Sequence, residues 1–459
     1  MAATPASSRL TLGIAVLASF VAFLDGSIVT VALPAIVRDL GGGISLQQWV
    51  VDGYLITLGA LILVAGSLSD MFGRVRVLRA GLLGFGVTSL VIALAPSGAV
   101  LIAARLLQGV AGALLVPSSL ALIMSTFTGP AQARAIGTWT GATTAAFVAG
   151  PLLGGLLTDL ASWRWAFAIN VLPIAVTLAM IAALGRAGYR DTTREGARVD
   201  LWSAALCAGG LGAAVFALIE QPHLGWGHPA IWGGALLGIG ALAAFLVRQS
   251  RSADPMLPLS LFRARNFAWG NAATWLIYGA LSLNGFIVGV YLQDGAGLSA
   301  TAAGLASLPA TVLLILGSSR VGAWGGRLGP RAFMTAGPLT MALGSFMLLA
   351  VSDDFDYWTQ ALPGLVVFGA GLTLTVAPLT SAILGAIETS RSGIASAVNN
   401  AVARIAGLVA VALLGTIVGG QLDLAGFHRA TVVTGVLLVA GGLVSWVGIR
   451  NDAGVTAPR

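Results

Sequence analysis

The chain has one cysteine, three histidines, no lysine and few charges of any kind: charged residues fill 9% of its 459 positions, and all 24 basic ones are arginine. A lone Cys207 excludes an intramolecular disulfide and, set in an apolar segment, reads as a small buried hydrophobe. The histidines His223, His228 and His428 have no cysteine or carboxylate at ligand spacing, so they read as solvated loop residues and no metal site is expected. No G-x-x-x-x-G-K-[ST] element is present, which leaves ATP-driven work without support, and no Ser/His/Asp constellation stands out. Neither a cofactor nor an enzymatic activity is expected.

What the chain has in excess is apolar length. Hydrophobic residues make up 57% of it, glycine occurs 62 times and the mean hydropathy is +0.93, which describes a polytopic membrane protein. A span needs roughly 20 apolar residues to cross about 30 Å of hydrocarbon. Fourteen such runs occur, near residues 11–36, 46–67, 77–95, 100–125, 134–158, 165–184, 201–220, 229–248, 268–291, 301–321, 333–351, 358–386, 394–418 and 430–449. They are too long, and too apolar on every side, for the ~10-residue alternating strands of an outer-membrane barrel, so the expected fold is all-α. The first run follows Arg9 without a small-residue cleavage site and reads as a span, not a secretory signal.

The arginines are distributed by side. With the N-terminus inside, eighteen fall on one face, among them Arg74, Arg76 and Arg79, the run Arg186, Arg190, Arg194 and Arg198, and Arg263, Arg265, Arg327 and Arg331. Only Arg38, Arg164 and Arg429 fall on the other, where acids such as Asp39, Asp159, Asp353 and Asp423 gather. This asymmetry holds at every loop of a fourteen-span count and puts both termini on the cytoplasmic side of the cell membrane. The net charge of +7 then reports topology and contact with anionic lipid headgroups, and no nucleic-acid partner is implied.

The chain also repeats itself. Gly66-Ser67-Leu68-Ser69-Asp70-Met71-Phe72-Gly73-Arg74 ends the second run and Gly322-Ala323-Trp324-Gly325-Gly326-Arg327-Leu328-Gly329-Pro330-Arg331 ends the tenth, each with two glycines seven apart at a cytoplasmic turn. Gly326 stands where the first copy has Asp70, so charge work falls to one copy. Internal repeats of this kind build many secondary transporters. The expected organisation is a six-helix bundle over residues 1–185, a linker with two inserted helices over 186–266 and a second six-helix bundle over 267–459.

Ionisable groups inside the runs are the candidate functional residues, because a charge in hydrocarbon needs a partner, a proton or a wet cavity. Asp25 lies about eleven residues, roughly 16 Å, from the outer end of its run; Asp52 and Arg105 lie about seven residues, roughly 10 Å, from theirs. All three therefore occupy the outer half of the membrane on spans one, two and four. Tuning of a carboxylate by Arg105 in one conformation, and its release in the other, would tie protonation to a conformational cycle. For Asp52 a solvated acid near the interface beside Trp49 is an equal reading.

Four segments carry a resemblance to the major facilitator superfamily and, within it, to the fourteen-span drug:proton antiporters. Gly66 to Arg76 resembles the signature loop G-x-L-x-D-x-x-G-R-x-R. Arg105-Leu106-Leu107-Gln108-Gly109 resembles the R-x-x-Q-G pattern of span four. Gly150-Pro151-Leu152-Leu153-Gly154-Gly155 resembles the G-P-x-x-G-G antiporter motif, and Leu24-Asp25 through Pro34 resembles the first-span pattern L-D-x-T-x-x-N-x-A-L-P. The chain departs from these patterns at Ser27, Thr30 and Ala146, and Leu172 intrudes before Pro173 after Trp163-Arg164-Trp165, which resembles the branch's sixth-span entry.

The resemblance implies two six-helix bundles plus an inserted pair, with Asp25 as the coupling acid and Arg105 as its partner. It implies a cytoplasmic gate at Gly66, Asp70, Gly73 and Arg74, and an antiporter element at Gly150, Pro151, Gly154 and Gly155. Asn399, Asn400 and Arg404 resemble the second-half pattern and, with Gln108, are candidates to line a cavity; an interhelical hydrogen-bond cluster is the rival reading. The implied function is export of lipophilic small molecules, cations among them, in exchange for protons, by a monomer in the cell membrane. Alternatives are a dedicated proton-coupled exporter of one endogenous metabolite or antibiotic, an uptake symporter, and a polytopic membrane enzyme or sensor.

Overall fold

The computed structural model describes residues 5–186, 191, 200–253, 255–388 and 391–451, without the side chains of residues 5–7, Leu63, Ser67, Asp70 and Ala133. Among the described residues there is no strand. In hydrocarbon the backbone must satisfy its own hydrogen bonds, and the helix does this within each segment. Thirteen helical stretches are long and apolar enough to cross a membrane. A further helix, Gly43–Phe72, has 30 residues and supplies the fourteenth span.

The helices run α1 Pro5–Leu40, α2 Gly43–Phe72, α3 Arg74–Ala93, α4 Gly98–Thr126, α5 Gly129–Leu160, α6 Arg164–Ala168 and α7 Val171–Arg186. The inserted pair is α8 Leu201–Leu224 and α9 Pro229–Arg251. The second half follows as α10 Arg265–Asp294, α11 Ala300–Ala306, α12 Leu308–Leu328, α13 Pro330–Met347, α14 Leu362–Gly385, α15 Ser392–Ala412, α16 Leu414–Val418 and α17 Leu424–Gly448. Three of the fourteen spans are broken helices: α6 with α7, α11 with α12, and α15 with α16.

The described chain forms two compact units. The first comprises residues 1–212, 240–242 and 299–304; the second comprises the remainder. In the first, α1 packs on α5, α4 and α7, while α2 and α3 pack on α4. Its core is aliphatic around Ile14, Leu58, Leu82, Phe85 and Leu115, with Tyr54 meeting Phe85 edge to face. In the second, α10 packs on α15 and α17, and α14 packs on α12 and α13.

Glycine sets several of these distances, since small residues let membrane helices close on one another. A Cβ on Gly109 would stand 2.3 Å from the Tyr54 carbonyl oxygen, which fixes the approach of α4 to α2. Gly238 does the same for the inserted pair, where a Cβ would fall 2.7 Å from the Ala214 nitrogen. Gly137 and Gly141 face open space and set no such contact.

Candidate functional site

Three helices of the first unit and the α6–α7 break bring polar side chains to one buried point, and α2 adds a backbone carbonyl. Asp25 of α1 and Gln108 of α4 are wholly inaccessible to solvent, as are Ser89 of α3 and Asn170 in the break; Arg105 of α4 is 2% exposed. Arg105 Nη1 donates to Asp25 Oδ2 at 2.7 Å and to Gln108 Oε1 at 2.6 Å, and its Nε donates to the Val50 carbonyl of α2 at 2.8 Å. The other carboxylate oxygen, Asp25 Oδ1, accepts from Asn170 Nδ2 at 2.9 Å and from Gln108 Nε2 at 3.2 Å. Ser89 Oγ lies 2.9 Å from Gln108 Nε2 and 3.4 Å from Asn170 Nδ2.

The guanidinium also stacks over the Tyr54 ring at 4.4 Å, with Phe167 at 5.8 Å on the α6 side. The pair therefore has a hydrogen-bonded shell and aromatic walls, the conditions under which a buried ion pair is tolerated. Ser89 and Asn170 escaped the sequence reading. Asn170 did leave a trace, as a lone amide in the apolar run Phe167-Ala168-Ile169-Asn170-Val171. Gln108 is wholly buried. The charged pair consumes both ends of its amide, which encloses it.

Asp52 stands outside this network. It is fully buried on α2, and neither carboxyl oxygen has a hydrogen-bond partner among the described residues. Sequence depth puts Asp25, Asp52 and Arg105 at a similar level; only the structure separates a paired acid from an unpartnered one.

At the signature loop, Gly73 closes α2 and opens α3 with φ +97°, in the half of conformational space that favours glycine. Asp191, which no motif marked, caps the new helix: its carboxylate accepts from Val75 N at 3.2 Å and Arg76 N at 3.0 Å. A Cβ on Gly73 would lie 2.4 Å from that carboxylate. Gly66 has open space around its α-carbon, Arg74 is half-buried, and the Asp70 side chain lies outside the described atoms.

The antiporter element divides its glycines between two partners. A Cβ on Gly150 would meet Ser27 Cβ at 2.8 Å, and one on Gly154 would meet the Ile28 carbonyl at 2.7 Å, so both press α5 onto α1 just beyond Asp25. The small Ser27 leaves room for this approach. Gly155 instead faces the segment 299–304, where a Cβ would fall 2.5 Å from the Ala300 carbonyl oxygen. Nearby, Asp159 accepts from Ala300 N at 3.1 Å and Thr301 N at 2.7 Å. Pro151 sits inside α5.

In the second unit Asn399 Nδ2 donates to Asn271 Oδ1 at 3.1 Å and Thr274 Oγ1 at 2.9 Å, both on α10. This is an interhelical cluster without a charge pair. Arg404, one turn further, lies within electrostatic reach of Tyr278, and Asn400 is exposed.

Comparison with known proteins places the chain. The sequence profile of the Major Facilitator Superfamily matches residues 15–411. The chain belongs to that superfamily. It is 34% identical to the puromycin resistance protein of Streptomyces alboniger over 88% of this chain and 80% of that protein. Identity to the tetracenomycin C resistance and export protein of Streptomyces glaucescens is 32%, over 87% of this chain and 74% of that protein. Identity to the methylenomycin A resistance protein of Bacillus subtilis is also 32%, over 95% and 93%. Among solved structures, a peptide transporter POT in complex with sulfate superposes with a TM-score of 0.71 at 16% identity, covering 96% of this chain and 94% of its own. That likeness concerns the fold alone. Superfamily membership accounts for the all-helical, multi-pass architecture, with its two six-helix bundles and inserted pair.

Proposed function

We propose that this chain exports lipophilic small molecules, natural-product antibiotics among them, across the cell membrane in exchange for protons by alternating access. The observation that carries the reading is the buried Asp25–Arg105 network in a chain about one-third identical to resistance and export proteins over most of its length. A second bundle over residues 267–459 would rock against the first over 1–185, with 186–266 as linker, both termini cytoplasmic, and the protein acting as a monomer and not as an enzyme.

In this reading Asp25 is the coupling acid. Arg105 keeps it ionised while the pair is closed; when the helices move, the guanidinium withdraws and the carboxylate is left to take a proton. Asn170 and Gln108 hold the carboxylate's second oxygen and orient it. Asp52, buried without a donor, is the second proton-accepting group, since such a carboxyl is stable in hydrocarbon in its neutral form. Gly66, Asp70, Gly73 and Arg74 gate from the cytoplasmic side, and Gly150, Pro151, Gly154 and Gly155 supply the surface along which α5 moves. Arg404 and Asn400 face the transported molecule, with Asn399 behind them.

The test is efflux of ethidium and of puromycin from cells with an intact proton gradient, comparing wild type, Asp25→Asn and an uncoupler. Loss of export in both the variant and the uncoupled cells supports proton coupling through Asp25. Export that survives the uncoupler overturns it. Export of puromycin without ethidium selects the second reading, a dedicated antibiotic exporter, which the single-antibiotic names of the relatives favour.

A further inference from the structure

A cleft opens between α13 and α17 in the second unit, at the start of the one helix and the end of the other. It is a shallow, open groove of about 390 Å³ lined by Arg331, Thr335, Ala336, Leu339 and Trp446, with Asn451 at its rim. No acidic side chain lines it. Its lining is mostly apolar, with Arg331, Thr335 and Asn451 as the polar residues and the guanidinium as the one charge.

That guanidinium is held in place. Arg331 Nε donates to the Trp446 carbonyl at 2.9 Å, at the C-terminal turn of α17, and both terminal nitrogens remain without a partner among the described residues. The Trp446 indole nitrogen also has no acceptor there, and its side chain is 55% exposed. Arg265 reinforces the same helix end, donating to the Val447 and Gly448 carbonyls at 2.9 Å each. Leu339 lines the cleft, and further exposed aliphatic side chains follow on the same two helices, Leu343 on α13 and Leu443 on α17. Aromatic and arginine side chains at one level, with a bare aliphatic track leading away, match the headgroup boundary and the acyl region of a leaflet.

We propose that an anionic phospholipid occupies this cleft, its phosphate on Arg331 and the Trp446 indole N–H, and one acyl chain against Leu339 and Leu343. Placing the lipid in the cytoplasmic leaflet rests on the orientation proposed above. The binding itself does not, because an assay in detergent reads neither orientation nor transport. A failed export assay would therefore leave this site standing, and a failed lipid assay would leave the export reading standing.

The experiment uses the full chain, purified and delipidated in detergent, titrated with dioleoylphosphatidylglycerol, dioleoylphosphatidylcholine or inorganic phosphate, and read by thermal denaturation and native mass spectrometry. Phosphatidylglycerol is expected to raise Tm by about 3 °C and to remain bound as one adduct, with phosphatidylcholine weaker and phosphate inert. Arg331→Gln should weaken phosphatidylglycerol about fivefold, the factor to which roughly 1 kcal/mol per arginine at a membrane surface corresponds, and Arg331→Lys should restore part of it. Ala336→Trp fills the cleft without touching Arg331 and should also remove the adduct, which keeps the test decisive if Arg331→Gln does not fold. Equal binding of the two lipids, an equal shift with phosphate alone, or an adduct that survives both Arg331→Gln and Ala336→Trp overturns the proposal.

Discussion

The two copies of the glycine–arginine loop share a backbone and differ in charge. Gly73 and Gly329 each end one helix and start the next, with φ of +97° and +84°. In each a Cβ would strike a capping side chain that arrives from the far end of its half: Asp191 at 2.4 Å in the first, Asn451 at 2.3 Å in the second. The first cap is a carboxylate taking two backbone N–H groups, Val75 N and Arg76 N; the second is an amide taking one, Arg331 N at 3.1 Å. The buried clusters follow the same rule, with a charged Asp25–Arg105 pair in the first unit and a neutral Asn399–Asn271–Thr274 group in the second. The turn geometry recurs in both halves, while among the described residues the buried ion pair, Asp25 with Arg105, belongs to the first. A charge inside a membrane protein is costly unless it works, and a neutral copy suffices for packing.

This comparison can be broken most forcefully at the buried pair. Arg105→Ala leaves Asp25 without its cation, at a cost of about 3–5 kcal/mol. Export should vanish and Tm should fall sharply, whereas Asn399→Ala in the second unit should cost about 1 kcal/mol and leave most export intact. Equal losses in the two variants would remove the asymmetry. Side by side, Gly73→Ala and Gly329→Ala should each destabilise by about 1–3 kcal/mol, because both force a side chain into left-handed backbone and into a cap. A thermal shift for one and not the other would show that the turns are not equivalent.

The caps sharpen the contrast further. Asp191→Ala should cost about 1–2 kcal/mol and Asn451→Ala about half as much, since a carboxylate at a helix N-terminus also meets the positive end of the helix dipole. Asp191→Asn, which imports the second half's chemistry, should slow turnover several-fold with little change in KM if the loop's charge sets the gate. The reciprocal Asn451→Asp should gain about 0.3–1 kcal/mol of thermal stability and leave turnover unchanged. Initial efflux rates over a range of substrate concentrations separate these outcomes from a mere loss of folded protein.

Much of this was legible before any coordinates. Apolar runs marked all fourteen spans because burial in lipid leaves the backbone one satisfactory conformation at that length. Asp25 and Arg105 stood out because charges in such runs are few. The partners that orient them, Ser89 and Asn170, did not, since an uncharged polar residue in a membrane helix more often bonds to its own backbone, as Thr88 does to the Gly84 carbonyl at 2.7 Å. Asp191 was hidden for a different reason: it lies more than a hundred residues from the backbone N–H groups that it caps, outside any motif.

The sequence by itself determined the class and the span count, through composition and local spacing, and its motifs carried the superfamily resemblance that implied Arg105 as the partner of Asp25. Only the tertiary structure shows the contact itself, and that Asp52 stands apart from it. Asp25 and Asp52 carry the same chemistry on spans one and two, yet one carboxylate meets Arg105, Gln108 and Asn170 while the other meets no donor among the described residues. Such a choice is made by packing: by Gly109 drawing α4 onto α2, by Gly150 and Gly154 drawing α5 onto α1, and by Asn170 closing the far side.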